Sequence, residues 1–182
     1  MATAVYVEKN GGHFEYFVCT APDEKDKKCI EIDADVVAGE SCKNVNCIES
    51  VLLDECHRIE KSAFESCKEL QTVLFGRKDS KTKSLIGLTV AAVDKLSIQH
   101  AAFKNCAKLQ AVVLPKVNGK ITIEKEAFAG CSELRTVVFG ESNEIDISEE
   151  AFIGCAKVTF VCASDSAAER YAREHGFRIV NF

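Results

Sequence analysis

Residues 124–134 read EKEAFAGCSEL, and near-copies stand at 60–70 (EKSAFESCKEL), 99–109 (QHAAFKNCAKL) and 148–158 (SEEAFIGCAKV). The shared phrase is Ala-Phe, two free positions, Cys, two free positions and an aliphatic. Phe103, Phe128 and Phe152 are separated by 25 and 24 residues, while Phe64 precedes Phe103 by 39. That longer gap is one period plus an insertion of about 14 residues. Cys42 stands 25 residues before Cys67 and extends the series backwards, with Gly39 at a degenerate Phe position. The chain therefore reads as about five coils of one repeat.

Each coil carries two extended segments. After the Cys and its aliphatic come LQTVLF (70–75), LQAVVL (109–114), LRTVVF (134–139) and VTFVCA (158–163). Before the Ala-Phe pair come LSI (96–98), ITI (121–123) and IDI (145–147). Val, Ile and Leu suit pleated ladders, and the short Ala-Phe-x-x-Cys piece supports a single helical turn at most. A coil of this length cannot bury its own apolar side, so its neighbours supply the walls. Strands in register sit about 4.8 Å apart, so each side chain meets its own counterpart above and below. Phe is expected to stack on Phe and Cys on Cys.

Ten cysteines are many for 182 residues. Cys42, Cys67, Cys106, Cys131 and Cys155 recur at one point of the repeat and read as small buried packing residues. Cys19, Cys29, Cys47, Cys56 and Cys162 follow no rule.

The phrase Ile-x-x-x-Ala-Phe-x-x-Cys-x-x-Leu-x-x-Val resembles the BspA-type leucine-rich repeat over roughly residues 30–182, and VTFVCASDSAAERYAREHGFRIVNF is similar to that family's terminal coil, helix and strand. The resemblance implies an α/β repeat solenoid of short parallel strands and single helical turns. It also implies a non-enzymatic module for adhesion or partner recognition, often at a cell surface.

Both ends of such a stack need covers. AVYVEKNGGHFEYFV at the front reads as a hairpin about Asn10-Gly11-Gly12, with APDEKDKKC (21–29) as a polar link. Ser166 and Glu169 have capping-box spacing, and Gly176 fits a helix end, giving a helix near 167–175 and a last strand. The expected organisation is a hairpin cap and link at 1–29, coils at 30–163 with an insertion at 76–95, and a helix–strand cap at 164–182. The insertion begins with Arg77, Lys78, Lys81 and Lys83, then turns apolar in SLIGLTVAAV, which is expected to pack on the solenoid or pair as strands.

The net charge of −5 argues against nucleic acid as a main partner, and no stretch approaches a membrane span. No leader is visible, so the chain as written reads as cytoplasmic, or as secreted or surface-borne had a leader been removed. Stacked thiols tilt the reading towards a reducing compartment.

No phosphate loop, dinucleotide fingerprint or nucleophile elbow appears. His13, His57, His100 and His175 are scattered, and no cofactor is expected. Cys42, Cys47, Cys56 and His57 could supply zinc ligands by number, but not with the spacing of structural sites. The reading is therefore not an enzyme and not a metal protein.

Strand alternation singles out a surface instead. With Leu70, Val73 and Phe75 inward, the outward columns are Gln71, Gln110, Arg135; Thr72, Ala111, Thr136, Phe160; and Leu74, Val113, Val138. An aliphatic stripe rimmed by polar residues marks an interaction site. The expected binding residues are Gln71, Thr72, Leu74, Gln110, Val113, Arg135, Thr136 and Val138, facing an unidentified protein partner. The alternative is a self-associating structural protein, a homo-oligomer built through the same stripe or the sheet edges.

Overall fold

A computed structural model describes residues 3–9, 12–18, 29–76 and 93–182. In chain order its strands begin β1 (Thr3–Lys9), β2 (Gly12–Val18), β3 (Cys29–Asp33), β4 (Val36–Val37), β5 (Ser50–Asp54), β6 (Arg58–Ile59) and β7 (Thr72–Phe75). They continue with β8 (Leu96–Ile98), β9 (Ala111–Val113), β10 (Val117–Ile123), β11 (Thr136–Val138), β12 (Ser142–Ile147) and β13 (Thr159–Cys162). Helix α1 (Ala167–Glu174) and β14 (Arg178–Asn181) close the chain.

From β2 to β13 successive strands alternate between two seven-stranded sheets. The first runs β1-β2-β4-β6-β8-β10-β12 and the second β14-β13-β11-β9-β7-β5-β3. All pairs are parallel except the antiparallel hairpin of β1 with β2, which joins the first sheet beside β4. The molecule is thus a parallel β-solenoid. The second sheet has a rung, β3, ahead of the coils that carry the repeat phrase. Residues 29–37 lack Ala-Phe-x-x-Cys, which is why the sequence pattern stops one turn short of the fold.

The inner wall is built from like residues. Phe64, Phe103, Phe128 and Phe152 form one continuous stack, with ring centroids 5.2, 5.2 and 5.0 Å apart and near-parallel planes. Leu70, Leu109, Leu134 and Val158 line up beside it, all buried. At the far end the stack turns edge-on: Phe160 meets Phe152 at 5.1 Å in a T-shaped contact, and Tyr171 and Phe177 complete a ring cluster. A parallel stack would leave one face of Phe152 open, and the cap closes it.

The expected helical turn at Ala-Phe is instead a string of tight turns. Ala63 N–H donates to Glu60 C=O, Glu65 to Ser62, and Cys67 to Phe64, each three residues back. Left-handed residues flank the first three Ala-Phe pairs, at Ser62 and Ser66, Ala101 and Asn105, and Glu126 and Gly130, while the last pair has only Gly154 after it. Two such residues four apart prevent helical continuation, and Gly130, at φ +75°, carries no penalty for it. These turns also bond between coils: the Phe64, Phe103 and Phe128 amides donate to Ala102, Ala127 and Ala151 at 2.8, 2.8 and 2.9 Å. Backbone polarity is satisfied along the axis even where no strand exists.

That ladder corrects one placement. Cys42 N–H donates to Ala63 C=O at 2.8 Å, the bond a Phe-slot residue makes. Cys42 therefore heads the Phe column, Val45 takes the Cys slot and Ile48 the Leu slot, and Gly39 is outside the motif. Equal spacing from Cys67 had suggested otherwise because the first coil is three residues shorter in its turn-to-turn arc.

Most of the insertion (77–92), the hairpin turn at 10–11 and the link at 19–28 lie outside the described residues. At the insertion's end Val93 bridges to Val117, and its amide donates to Lys116 C=O at 3.0 Å.

At the C-terminal cap Ser166 accepts from Glu169 N–H at 3.2 Å. The return bond goes one residue earlier than the capping box predicts, from Asp165 N–H to Glu169 Oε2 at 2.7 Å. Arg173 and Asn181 donate to the other carboxylate oxygen, tying helix, cap and last strand together.

Two outcomes follow from this packing. Phe128→Ala removes the middle of the stack and is expected to cost about 3–5 kcal/mol in urea unfolding. The Asp165 amide, then Arg173, hold the Glu169 carboxyl below its ordinary 4.5. Its contribution is complete above that value and is lost as pH falls through the lower folded value. Acid melting curves of Glu169→Gln should therefore be flatter than those of the unaltered chain below pH about 4.5.

Candidate functional site

The second sheet presents its outer face as three in-register columns. Gln71, Gln110 and Arg135 stand at the strand entries, joined by Gln110 N–H to Gln71 C=O at 2.8 Å and Arg135 N–H to Gln110 C=O at 2.9 Å. Thr72, Ala111, Thr136 and Thr159 follow as paired rungs. Leu74 pairs with Val113, Val113 with Val138, and Val138 with Val161. Thr72, Leu74, Val113, Thr136 and Val138 fall on this one face, Gln71, Gln110 and Arg135 stand just before its strands, and each of the eight is half-exposed or exposed while Val73, Val112 and Val137 are buried.

The aliphatic column is longer than the sequence pattern suggests. Leu52 pairs with Leu74 at one end, and Val161 with Val180 at the other. Leu52 was hidden by the misaligned first coil. Val161 was hidden by a slip in the last one: Thr159 directly follows Val158, whereas an extra residue, Arg135, separates Leu134 from Thr136. Counting from the aliphatic placed Phe160 outward. It faces inward, fully buried, paired with Val137. A one-residue shift in a strand exchanges its faces.

Leu52 is only 3% exposed although its column faces outward. The open part of the stripe therefore runs from Leu74 through Val113, Val138 and Val161 to Val180, five strands or about 19 Å at ordinary strand spacing. Ion pairs edge it on the turn side: Lys108 to Glu69 at 2.7 Å and Lys157 to Glu133 at 2.6 Å.

The cysteines behave as structural donors. The thiols of Cys67, Cys106, Cys131 and Cys155 each donate to the Phe-slot carbonyl of the preceding coil: Cys42, Phe64, Phe103 and Phe128, at 2.9, 3.0, 3.1 and 3.2 Å. The carbonyls of Phe64, Phe103 and Phe128 also accept the Cys amide of their own coil. The repeated thiol thus supplies the second donor to a buried oxygen whose first is an amide of its own coil, a role beyond filling space. Contact with Cys67 and burial push the Cys106 thiol up, and burial raises Cys131, and Cys155 to about 12. Such thiols stay protonated and unreactive.

The other chemistry-bearing residues do not converge. His57 lies 3.9 Å from Asp35, and burial lowers its pKa. Neighbouring Cys56 is raised by burial to about 12 and donates to Arg58 C=O, which leaves no thiolate for the imidazole to activate. The zinc candidates are separated in role, with Cys42 in the Phe column. Among the described residues no group of three or more His, Cys, Asp or Glu side chains could hold a metal ion. His100 binds the Lys125 carbonyl, and His175 binds the Tyr171 carbonyl at the helix end. A hollow of about 250 Å³ opens beside the cap, lined by Phe152, Ile153, Tyr171, His175 and Phe177. Its one hydroxyl, on Tyr171, is raised to about 12 by burial and donates to the Ser148 and Glu149 carbonyls. No helix among the described residues is long and apolar enough to cross a membrane.

An alternation of two parallel ladders, with one phrase per turn and an open strand-lined face, defines a leucine-rich-repeat solenoid. The sequence pattern described as BspA type leucine-rich repeat region matches six copies over residues 35–85 and 96–172. The chain belongs to that family. Among solved structures it is similar to a leucine-rich cell surface protein of Faecalibacterium prausnitzii, with 15% identity and a TM-score of 0.54. That likeness covers 84% of this chain and 41% of the other, so the chain spans about two fifths of its relative's length. A leucine-rich repeat protein of T. pallidum is 14% identical over 97% of this chain and 95% of its own, at a TM-score of 0.31. No curated protein matches significantly.

Thiol titration checks the assignment of the cysteines. Among those described, half-exposed Cys47 should react first with an aromatic disulfide reagent, and Cys67, Cys106 and Cys131 only after unfolding. Fast native labelling of Cys106 would contradict the donor role.

Proposed function

We propose that this chain is a non-enzymatic recognition module that binds another protein across the outer face of its second sheet. The in-register column Leu74, Val113, Val138 and Val161 carries this reading, because outward positions are free of the packing that dictates the core. An outward row of aliphatics across these four strands is a patch of the kind that marks interaction sites. Gln71, Gln110 and Arg135 along one side, with Thr72 and Thr136, supply directional hydrogen bonds at its rim. Such an arrangement of apolar centre and polar border is that of protein interfaces. Adhesion at a cell surface is the finer form of the same reading, supported by the description of the Faecalibacterium relative.

The test replaces the centre of the stripe. Val113→Glu with Val138→Glu should leave the melting temperature within a few degrees, since both side chains are half-exposed. The same variant should lose the proteins that the unaltered chain captures from its native host. Retention of every captured protein by a folded double variant would remove this face as the site.

A further inference from the structure

We infer that β14 is a self-association edge, pairing antiparallel with β14 of a second copy about a two-fold axis at Val180. This goes beyond the proposed function and uses the backbone edge of β14, at the end of the same column, rather than the open face of the sheet. β14 ends the order of the second sheet, and among the described residues no strand lies on its far side. Of the charged and Pro residues that usually blunt exposed edges it carries one, Arg178 at its start, and none at its centre. The large apolar side chains most exposed among the described residues are Ile153 at 53%, Val180 at 53% and Phe182 at 63%. All three stand at this end of the solenoid, two of them in or next to β14.

Backbone parity settles the register. Phe182 N–H donates to Cys162 C=O, on the β13 side. Alternation then turns Val180 and Arg178 the same way, and it points the N–H and C=O groups of Ile179 and Asn181 outward. An antiparallel partner centred on Val180 places Ile179 opposite Asn181 of the other copy, so the outward groups exchange four hydrogen bonds. Val180 meets itself as a non-hydrogen-bonded pair, the closer kind, with Cα atoms about 4.5 Å apart.

The side chains agree with that register. Arg178, Val180 and Phe182 share the outer face, because Val180 continues the column of Val161. The axis brings each Phe182 ring opposite the other copy's Arg178, a cation–π pairing. The two Arg178 side chains stand about 13 Å apart, beyond a Debye length at physiological salt. Ile179 and Asn181 face inward, where Asn181 already donates to Glu169 and Cys162, so dimerisation leaves the cap undisturbed. The contact is isologous and closes at two copies. A head-to-tail contact of β14 on β3 would instead propagate into filaments.

Sedimentation of the 182-residue chain tests this. The unaltered chain should be dimeric at about 100 μM, and Val180→Glu and Val180→Lys should each weaken the dimer tenfold or more by like-charge opposition. An equimolar mixture of the two should recover a dimer. Independently of any variant, the Ile179 and Asn181 amides should gain hydrogen-exchange protection with rising protein concentration. A monomer at that concentration, charge variants that stay dimeric, a mixture that does not recover, species growing beyond two copies, or amides whose exchange ignores concentration would each overturn the inference. Val113→Glu with Val138→Glu should keep the dimer, which separates failure here from failure of the partner-binding face.

Discussion

Coil-on-coil contact between equivalent residues is the constraint from which the rest of the molecule follows. Strands about 4.8 Å apart favour residues of like size within a column, since repeated mismatches would leave voids or clashes. Phe64, Phe103, Phe128 and Phe152 meet that constraint as a ring stack at 5.0–5.2 Å. The thiol beside each ring resolves a second problem. The turn buries the Phe carbonyl, whose own coil supplies one donor, and the Cys of the next coil supplies another. Stacking and hydrogen bonding thus run along the same axis through the same three residues.

The rung spacing that disciplines the core also prints columns on the outside. Charged side chains use it: Lys104 reaches Glu126 at 2.6 Å, Lys43 reaches Glu65 at 3.2 Å, and Lys157 reaches Glu133 at 2.6 Å, each pair linking adjacent coils. Such exposed pairs, screened by solvent, add little to stability. They select the register more than they hold the stack together. The aliphatic column of the second sheet has no such electrostatic role, and burial of the core does not require it. Its regularity on the solvent side is the feature on which the proposed recognition role rests. The two ends differ in their treatment: an antiparallel hairpin joins the first sheet beside β4, whereas the second sheet ends in β14 with its backbone edge turned outward.

Where the repeat phrase was intact, sequence reasoning reached single residues. The Phe column, the Leu column, the inward Val73, Val112 and Val137, and the outward Leu74, Val113 and Val138 all stand where periodicity placed them. It failed where the phrase changed length. Cys42 was assigned to the Cys column by equal spacing, yet its amide makes the bond of a Phe-slot residue. Phe160 was turned outward by the one residue missing between Val158 and Thr159. Both errors have one cause: counting along a chain cannot see where a turn has been shortened, and in a strand a single position exchanges inside for outside.

The amino-acid sequence by itself determined that the chain stacks, with what period, and which residues meet in the core, because like-on-like packing writes the same letters at each turn. The tertiary structure alone decided the register of the atypical first and last coils, the extra rung β3 and the extension of the outer column to Leu52, Val161 and Val180. It also decided the role of the thiols, which spelling alone presents as mere filling. These features depend on hydrogen bonds between residues a full turn apart, and such bonds adjust to local changes in arc length that leave no periodic trace in the chain.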